Sequence, residues 1–185
     1  EQQRVCDLVK DGRSVCVDSV AGSGKTTAAM HIAQQNPDKN IVMLTFNARL
    51  RAENERRIRQ HGLSNITAHT FHSFVKNAYA IPCCTNDVEM TKFCLHPDIS
   101  PPSSTIDKYF RVHLLIIYEA QDMTLLYYKL VLKIVEDMRT VSPNVQMCMF
   151  GDERQCINAQ LGEGADYRCL TKCSQVFGGQ GVCKE

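Results

Sequence analysis

The run Ala21-Gly22-Ser23-Gly24-Lys25-Thr26-Thr27-Ala28 constrains this chain more than any other stretch. It follows an apolar run, Val15-Cys16-Val17, and precedes a stretch of helical character. A strand that turns through glycines into a helix N-terminus makes a cradle for phosphate. Its backbone N–H groups point inward, the helix dipole favours negative charge, and the lysine adds a full positive charge. Residues Ala21, Gly22, Ser23, Gly24 and Thr27 supply the cradle, Lys25 reaches the β- and γ-phosphates, and the Thr26 hydroxyl stands where Mg²⁺ is bound. The strict pattern has glycine where this chain has Ser19, but the core from Gly22 to Thr26 is intact. A merely flexible Gly/Ser loop ahead of a lysine would leave the strand before and the helix after unexplained. The expected ligands are a nucleoside triphosphate and Mg²⁺.

The rest of the chain reads as strands alternating with helices. Helical stretches are expected over 1–10, from the phosphate loop to about residue 35, over 47–60, from about 70 to 79, and near 166–177. Apolar strands are expected at 14–18, 41–45, 65–69, 113–118 and 145–150. A long amphipathic helix over 122–139 carries Leu125, Tyr128, Leu132, Val135 and Met138 on one face. The segment 81–105 has no clean period and contains Pro82, Pro97, Pro101 and Pro102, so it reads as a loop. The pattern predicts an α/β fold, a P-loop NTPase with a parallel sheet flanked by helices. Ligands of such a sheet sit beyond the carboxyl ends of its strands. At 185 residues the chain suits one domain, expected over 1–178 with 179–185 as a Gly-rich tail.

Net charge is +1, so no global field points to a nucleic-acid partner. No stretch approaches the roughly 20 apolar residues of a membrane span, and no signal-like segment is present, so no membrane partner is expected. The chain does not begin with Met, which fits either a fragment or a processed chain. Ten cysteines are many; an intracellular ATP-binding domain, in cytoplasm or nucleus, would keep them reduced. Cys83, Cys84, Cys94 and His96 invite a zinc reading, but no C-x-x-C pair is present; thiols in a loop are the simpler account.

Two further motifs fall at strand ends. Tyr118-Glu119-Ala120-Gln121-Asp122 follows one strand and Gly151-Asp152-Glu153-Arg154-Gln155 the next. ATP hydrolysis needs a metal anchor and a group that orients or deprotonates water. Glu119 suits the second task, and Gln155 can sense a γ-phosphate by hydrogen bonding. The plainer reading of Asp122 is a helix N-cap.

In this order the motifs resemble those of the UvrD/Rep group of superfamily 1 helicases. The resemblance rests on the phosphate loop, Thr45-Phe46-Asn47, Ala68 through Phe74, the Glu119-Ala120-Gln121-Asp122 and Gly151-Asp152-x-x-Gln155 boxes, and Gly164-Ala165-Asp166. It implies that Gln2 (or Gln3), just over twenty residues before the loop, reads adenine. It implies catalytic roles for Lys25, Glu119 and Gln155, with Asp122 and Asp152 positioning the network. Single-stranded DNA would be met by Thr45, Phe46, Asn47, Arg49, Thr70, Phe71 and His72. The accessory insertion of such proteins would be reduced to the loop 81–105. Their second RecA-like domain, which completes the ATP cleft, has no counterpart after Gly178.

The helix over 47–60 carries five arginines (49, 51, 56, 57, 59) against Glu53 and Glu55, a net charge of +3. Read alone, that is a solvated face with i,i+4 pairs; beside the family motifs it is a phosphate-contacting patch. His69 and His72 stay open between packing and nucleic-acid contact. Two departures from the family pattern stand out. Tyr118 replaces the metal-binding aspartate, and Asn158 replaces an aromatic that stacks on a base. Two functions follow as expectations: the ATP-binding part of a helicase that couples hydrolysis to movement on single-stranded DNA, or a pseudo-ATPase that binds nucleotide, with or without DNA, and does not turn it over. A small-substrate P-loop kinase leaves the two strand-end boxes unexplained.

Overall fold

The computed structural model describes residues 2–20, 22–96, 98–155 and 183–184. The element order is α1 (Gln2–Lys10), β1 (Val15–Asp18), α2 (Lys25–Gln35), β2 (Ile41–Thr45), α3 (Ala48–Gln60), β3 (Ile66–Thr70), α4 (Phe71–Ala78), α5 (Asp87–Cys94), α6 (Ser103–Tyr109), β4 (Leu114–Tyr118), α7 (Leu125–Val141), β5 (Gln146–Gly151) and β6 (Cys183–Lys184). All strand pairs are parallel, in the order β3-β2-β4-β5-β1-β6. The α/β expectation therefore holds.

Both faces of the sheet are covered, which is why its central strands read as unbroken apolar runs. Alternate residues feed two separate cores. Val42, Leu44, Leu115, Ile117, Met147 and Met149 join the side chains of α4 to α7. Ile41, Met43, Leu114, Ile116, Tyr118, Cys148 and Phe150 join α1, α2 and Ile58 of α3. This parity decides where Tyr118 points: toward the side of the sheet that carries the phosphate-loop helix.

Local chemistry sets the helix starts. Asn47 accepts a hydrogen bond from the Leu50 amide and caps α3. Thr70 and Ser73 form a reciprocal capping box at the start of α4. The expected loop at 81–105 is corrected, because it contains α5 and begins α6. Asn86 caps α5 by accepting from the Glu89 amide. The Thr105 hydroxyl donates to the Ala78 carbonyl and fastens α6 to α4. Met90, Phe93 and Tyr109 are buried, so tertiary packing holds helices too short to be stable alone.

Two other expectations change. On α7 the buried stripe is Tyr127, Leu130, Val131, Ile134, Val135 and Met138, while Leu125 and Leu132 face solvent. The helix has two apolar stripes, and the one beginning at Tyr127 meets the aromatic cluster of α4. The expected tail at 179–185 includes β6, which pairs with the outer edge of β1. The expected helix at 166–177, the Gly164-Ala165-Asp166 segment and Asn158 lie outside the described residues.

Candidate functional site

β1 ends at Asp18 and the chain turns through Ser19 to Gly24 into α2. Gly22 and Gly24 hold φ of 77° and 91°, conformations that cost an L side chain about 1–2 kcal/mol. A Cβ at Gly24 would also meet the Gln2 side-chain nitrogen, the far end of a side chain that can turn away. Gln2 Nε2 donates to the Ser23 carbonyl at 3.0 Å, so the residue expected to read adenine lies directly on the loop. Ser19, at the strict pattern's glycine position, is built in rather than tolerated. Its hydroxyl accepts from Ser23 Oγ at 3.0 Å and its amide donates to the Gly151 carbonyl at 2.9 Å. A small cavity of about 30 Å³ opens among Gln2, Val17, Ser19, Ser23, Gly24 and Lys25. Ala21 lies outside the described residues, and Thr27 is half-buried on α2.

Lys25 is the first residue of α2 and only 7% exposed. Its ammonium lies 3.3 Å from Glu119 Oε2 and 3.5 Å from the Ser19 carbonyl. Glu119 sits at φ 61°, a left-handed conformation that is uncommon outside glycine and clusters at functional sites. That bend at the end of β4 brings its carboxylate to the lysine. Gln121 binds the two strand ends together: its Nε2 donates to Glu119 Oε2 at 2.9 Å, and its Oε1 accepts from the Asp152 amide at 3.1 Å. The sequence reading gave Gln121 no role, although its place in the Glu-Ala-Gln-Asp box was the available signal. Asp152 is buried, and its Oδ1 accepts from the Arg154 amide. Burial, then Glu119, pushes the Asp122 carboxyl up, with Lys25 opposing. Gln155 is exposed on the 3-10 turn Glu153–Gln155, its amide donating to the Asp152 carbonyl.

The corner expected to hold Mg²⁺ is built differently. Tyr118 OH and Thr26 Oγ1 are 2.6 Å apart and share a hydrogen bond. Burial pushes the phenol up, with Thr26 opposing and Glu119 adding to the rise, so it is neutral at ordinary pH. Mg²⁺ takes hard oxygen donors in near-octahedral geometry, usually with a carboxylate. Here the threonine hydroxyl is engaged by a phenol and Glu119 by lysine and glutamine. The donors present fit nucleotide phosphates and do not fit Mg²⁺.

The second group of expected residues lies at the ends of β2 and β3. Two expectations are corrected there. Phe71 has no exposed surface and packs against Phe46 and Tyr127 with ring centroids 5.0 Å away, so it cannot stack on a base. Thr45 is buried, its hydroxyl donating to the Asn47 and His69 carbonyls. Thr70 spends its hydroxyl on the α4 cap. His72 Nε2 lies 3.1 Å from Asp87, which also accepts from Tyr127 OH. His69 is packed between Phe74 and Tyr109, and burial, then Arg51 and Lys108, holds it down to about 4. Phe46 is half-buried, while Asn47 and Arg49 are exposed. Both i,i+4 pairs formed on α3, Arg51–Glu55 and Arg57–Glu53, follow the solvated-face reading.

The zinc reading finds no support: Cys84 is buried against Met90, Cys83 donates to Glu89, and no three His, Cys, Asp or Glu side chains assemble a metal site among the described residues. No described helix is long and apolar enough to cross a membrane.

A parallel sheet whose first strand runs through a glycine loop into a lysine-headed helix, with acidic residues at the next strand ends, defines a P-loop NTPase fold of the RecA-like kind. The profile of the AAA domain family matches residues 2–160, and the chain belongs to that family. Among solved structures it is similar to Pif1 helicase from Candida albicans, with a TM-score of 0.58 and 17% identity over 100% of this chain and 39% of that one. Pif1 from a Bacteroides species in complex with ADP-AlF4 gives 0.57 and 19%, covering 99% of this chain and 40% of that one. Bacteroides Pif1 bound to ssDNA gives 0.55 and 19%, with the same coverage. At these identities the likeness is one of fold. No curated protein matches the chain.

Proposed function

We propose that this chain is the ATP-binding, RecA-like part of a superfamily 1 DNA helicase or translocase. The observation that carries the reading is the Lys25–Glu119 pair at 3.3 Å, set between a phosphate loop and the end of β4. In this reading the lysine that meets phosphate lies against the carboxylate suited to orient water. An incoming phosphate competes for the ammonium, and its arrival frees Glu119 toward the space where an attacking water would stand. Gln121 then holds Glu119 while reporting on the β5 end through Asp152. Motif order and the Pif1 likeness agree at the level of superfamily 1; the UvrD/Rep subgroup is the finer part of the proposal and rests on the motifs alone.

The chain spans about 40% of the Pif1 structures it resembles. In this reading a second RecA-like domain supplies the arginines that stabilise the transferring phosphate, a contribution of about 10³–10⁵ in rate. Single-stranded DNA would meet Asn47, Arg49 and the exposed edge of Phe46. Titrating a labelled single-stranded oligonucleotide, with and without a non-hydrolysable ATP analogue, tests the proposal. Salt-sensitive binding that shifts with nucleotide is expected; DNA binding that ignores nucleotide, or none at all, contradicts it.

The 2.6 Å contact between Tyr118 and Thr26 favours a second reading. In it the site binds nucleotide and does not turn it over. Phosphate release by the full-length protein at ordinary helicase rates would end that reading.

A further inference from the structure

We infer that this site takes its nucleotide as the free anion, without a divalent cation, because the Tyr118 hydroxyl closes the corner beside Thr26 where a cation would be held. The inference rests on the nucleotide reading above and names the form of the ligand.

Tyr118 cannot simply turn aside. It is the last residue of β4, paired in register with Phe150 of β5. Strand parity puts it on the same face as Leu114 and Ile116, and its ring is buried in the core shared with α2. From there its hydroxyl meets Thr26 Oγ1 at 2.6 Å. Seating Mg²⁺ against that oxygen requires a donor distance of about 2.0–2.1 Å and clear space for the remaining ligands, so the phenol would have to leave a packed position. Aspartate at 118 would be several atoms shorter and would bring a carboxylate; tyrosine fills the space and brings none.

The neighbouring carboxylates do not compensate. When phosphate takes Lys25, Glu119 is still held by Gln121 Nε2, Asp152 Oδ1 accepts from the Arg154 amide, and burial pushes the Asp122 carboxyl up toward its neutral form. What remains for a polyphosphate is the loop's own equipment: amides at the N-terminus of α2 and the Lys25 ammonium, which bind phosphate with no metal. The cost of omitting the cation falls on the γ-phosphate, whose oxygens it normally bridges to the β-phosphate. Free ADP and free ATP are therefore expected to bind alike.

Equilibrium titration of the wild-type chain with fluorescent ADP, and with a fluorescent non-hydrolysable ATP analogue, in Mg²⁺ and in EDTA, tests this. The expected ratio of the two dissociation constants is under about tenfold, or about 1.4 kcal/mol. A ratio above that in favour of Mg²⁺ overturns the inference and leaves the nucleotide reading intact. Absence of binding in both buffers brings down the nucleotide reading and the inference with it. In Tyr118→Asp a preference for Mg²⁺ should appear; a folded variant indifferent to Mg²⁺ removes Tyr118 as the cause and overturns the assignment. Should that variant not fold, Mn²⁺ relaxation decides on wild type. Adding the chain to Mn²⁺–ADP should leave water-proton relaxation unchanged, and enhancement overturns the inference.

Discussion

The two corners of the sheet's carboxyl edge are built on opposite plans. At the ends of β1 and β4, charged and polar side chains satisfy one another: Lys25 with Glu119, Thr26 with Tyr118, Gln121 with Glu119 and the Asp152 amide. At the ends of β2 and β3, residues of comparable motif standing form an aromatic core, with Phe46, Phe71 and Tyr127 ring against ring. A motif letter thus names a polar pairing at one corner and a packing contact at the other. The polar groups of the first corner are paired because an unpaired buried charge is costly. The aromatic corner needs no such partner.

The largest effect expected from this contrast is at Phe71. Truncation to alanine should cost about 3–5 kcal/mol of stability, as for other fully buried aromatics. Chemical denaturation measures it. A near-neutral change accompanied by lost DNA affinity would instead make Phe71 a stacking residue and erase the difference between the corners.

Next comes Gly24→Ala. The left-handed backbone costs about 1–2 kcal/mol and the new methyl meets Gln2. Stability should fall by about 1–2 kcal/mol, measured by chemical denaturation, and recover in part when Gln2→Ala is added. No recovery would mean that Gln2 does not press on the loop.

His69 gives a pH handle on the aromatic corner. The folded chain holds it down to about 4, against about 6.5 when unfolded. Between those values the unfolded chain binds a proton that the folded one refuses. Stability is therefore full above about pH 6.5, falls as pH drops through that window, and levels off below about 4. Replacing His69 with Gln should flatten that stretch of the stability curve, measured by urea midpoints across the range. An unchanged slope would show that the ring is protonated in place.

The smallest stability effect is expected at Arg49→Ala. Its exposed side chain should leave stability within about 0.5 kcal/mol of wild type. If it contacts a DNA phosphate, the salt slope of binding should shrink by about one unit.

The sheet was legible in the sequence because each central strand is a continuous apolar run between a turn and a helix, and Gly22 through Thr26 could be read as a phosphate cradle from residue types alone. Two parts were not legible. The helices at 87–94 and 103–109 have weak local periodicity and exist because Met90, Phe93 and Tyr109 find a core. The Tyr118–Thr26 contact joins residues 92 apart, and only the register of β4 and its facing toward α2 reveal it. The aromatic corner misled for a related reason: sequence shows that Phe71 is aromatic but not that it is enclosed.

The central claim is that the loop from Ser19 to Thr26 holds nucleotide phosphates through Lys25. Calorimetric titration of ADP against wild type and Lys25→Met tests it most directly. Binding to wild type that falls by about a hundredfold or more, about 2.7 kcal/mol, in the folded variant is the predicted result. A wild-type chain that takes no ADP, or a variant that binds it equally well, would contradict the account.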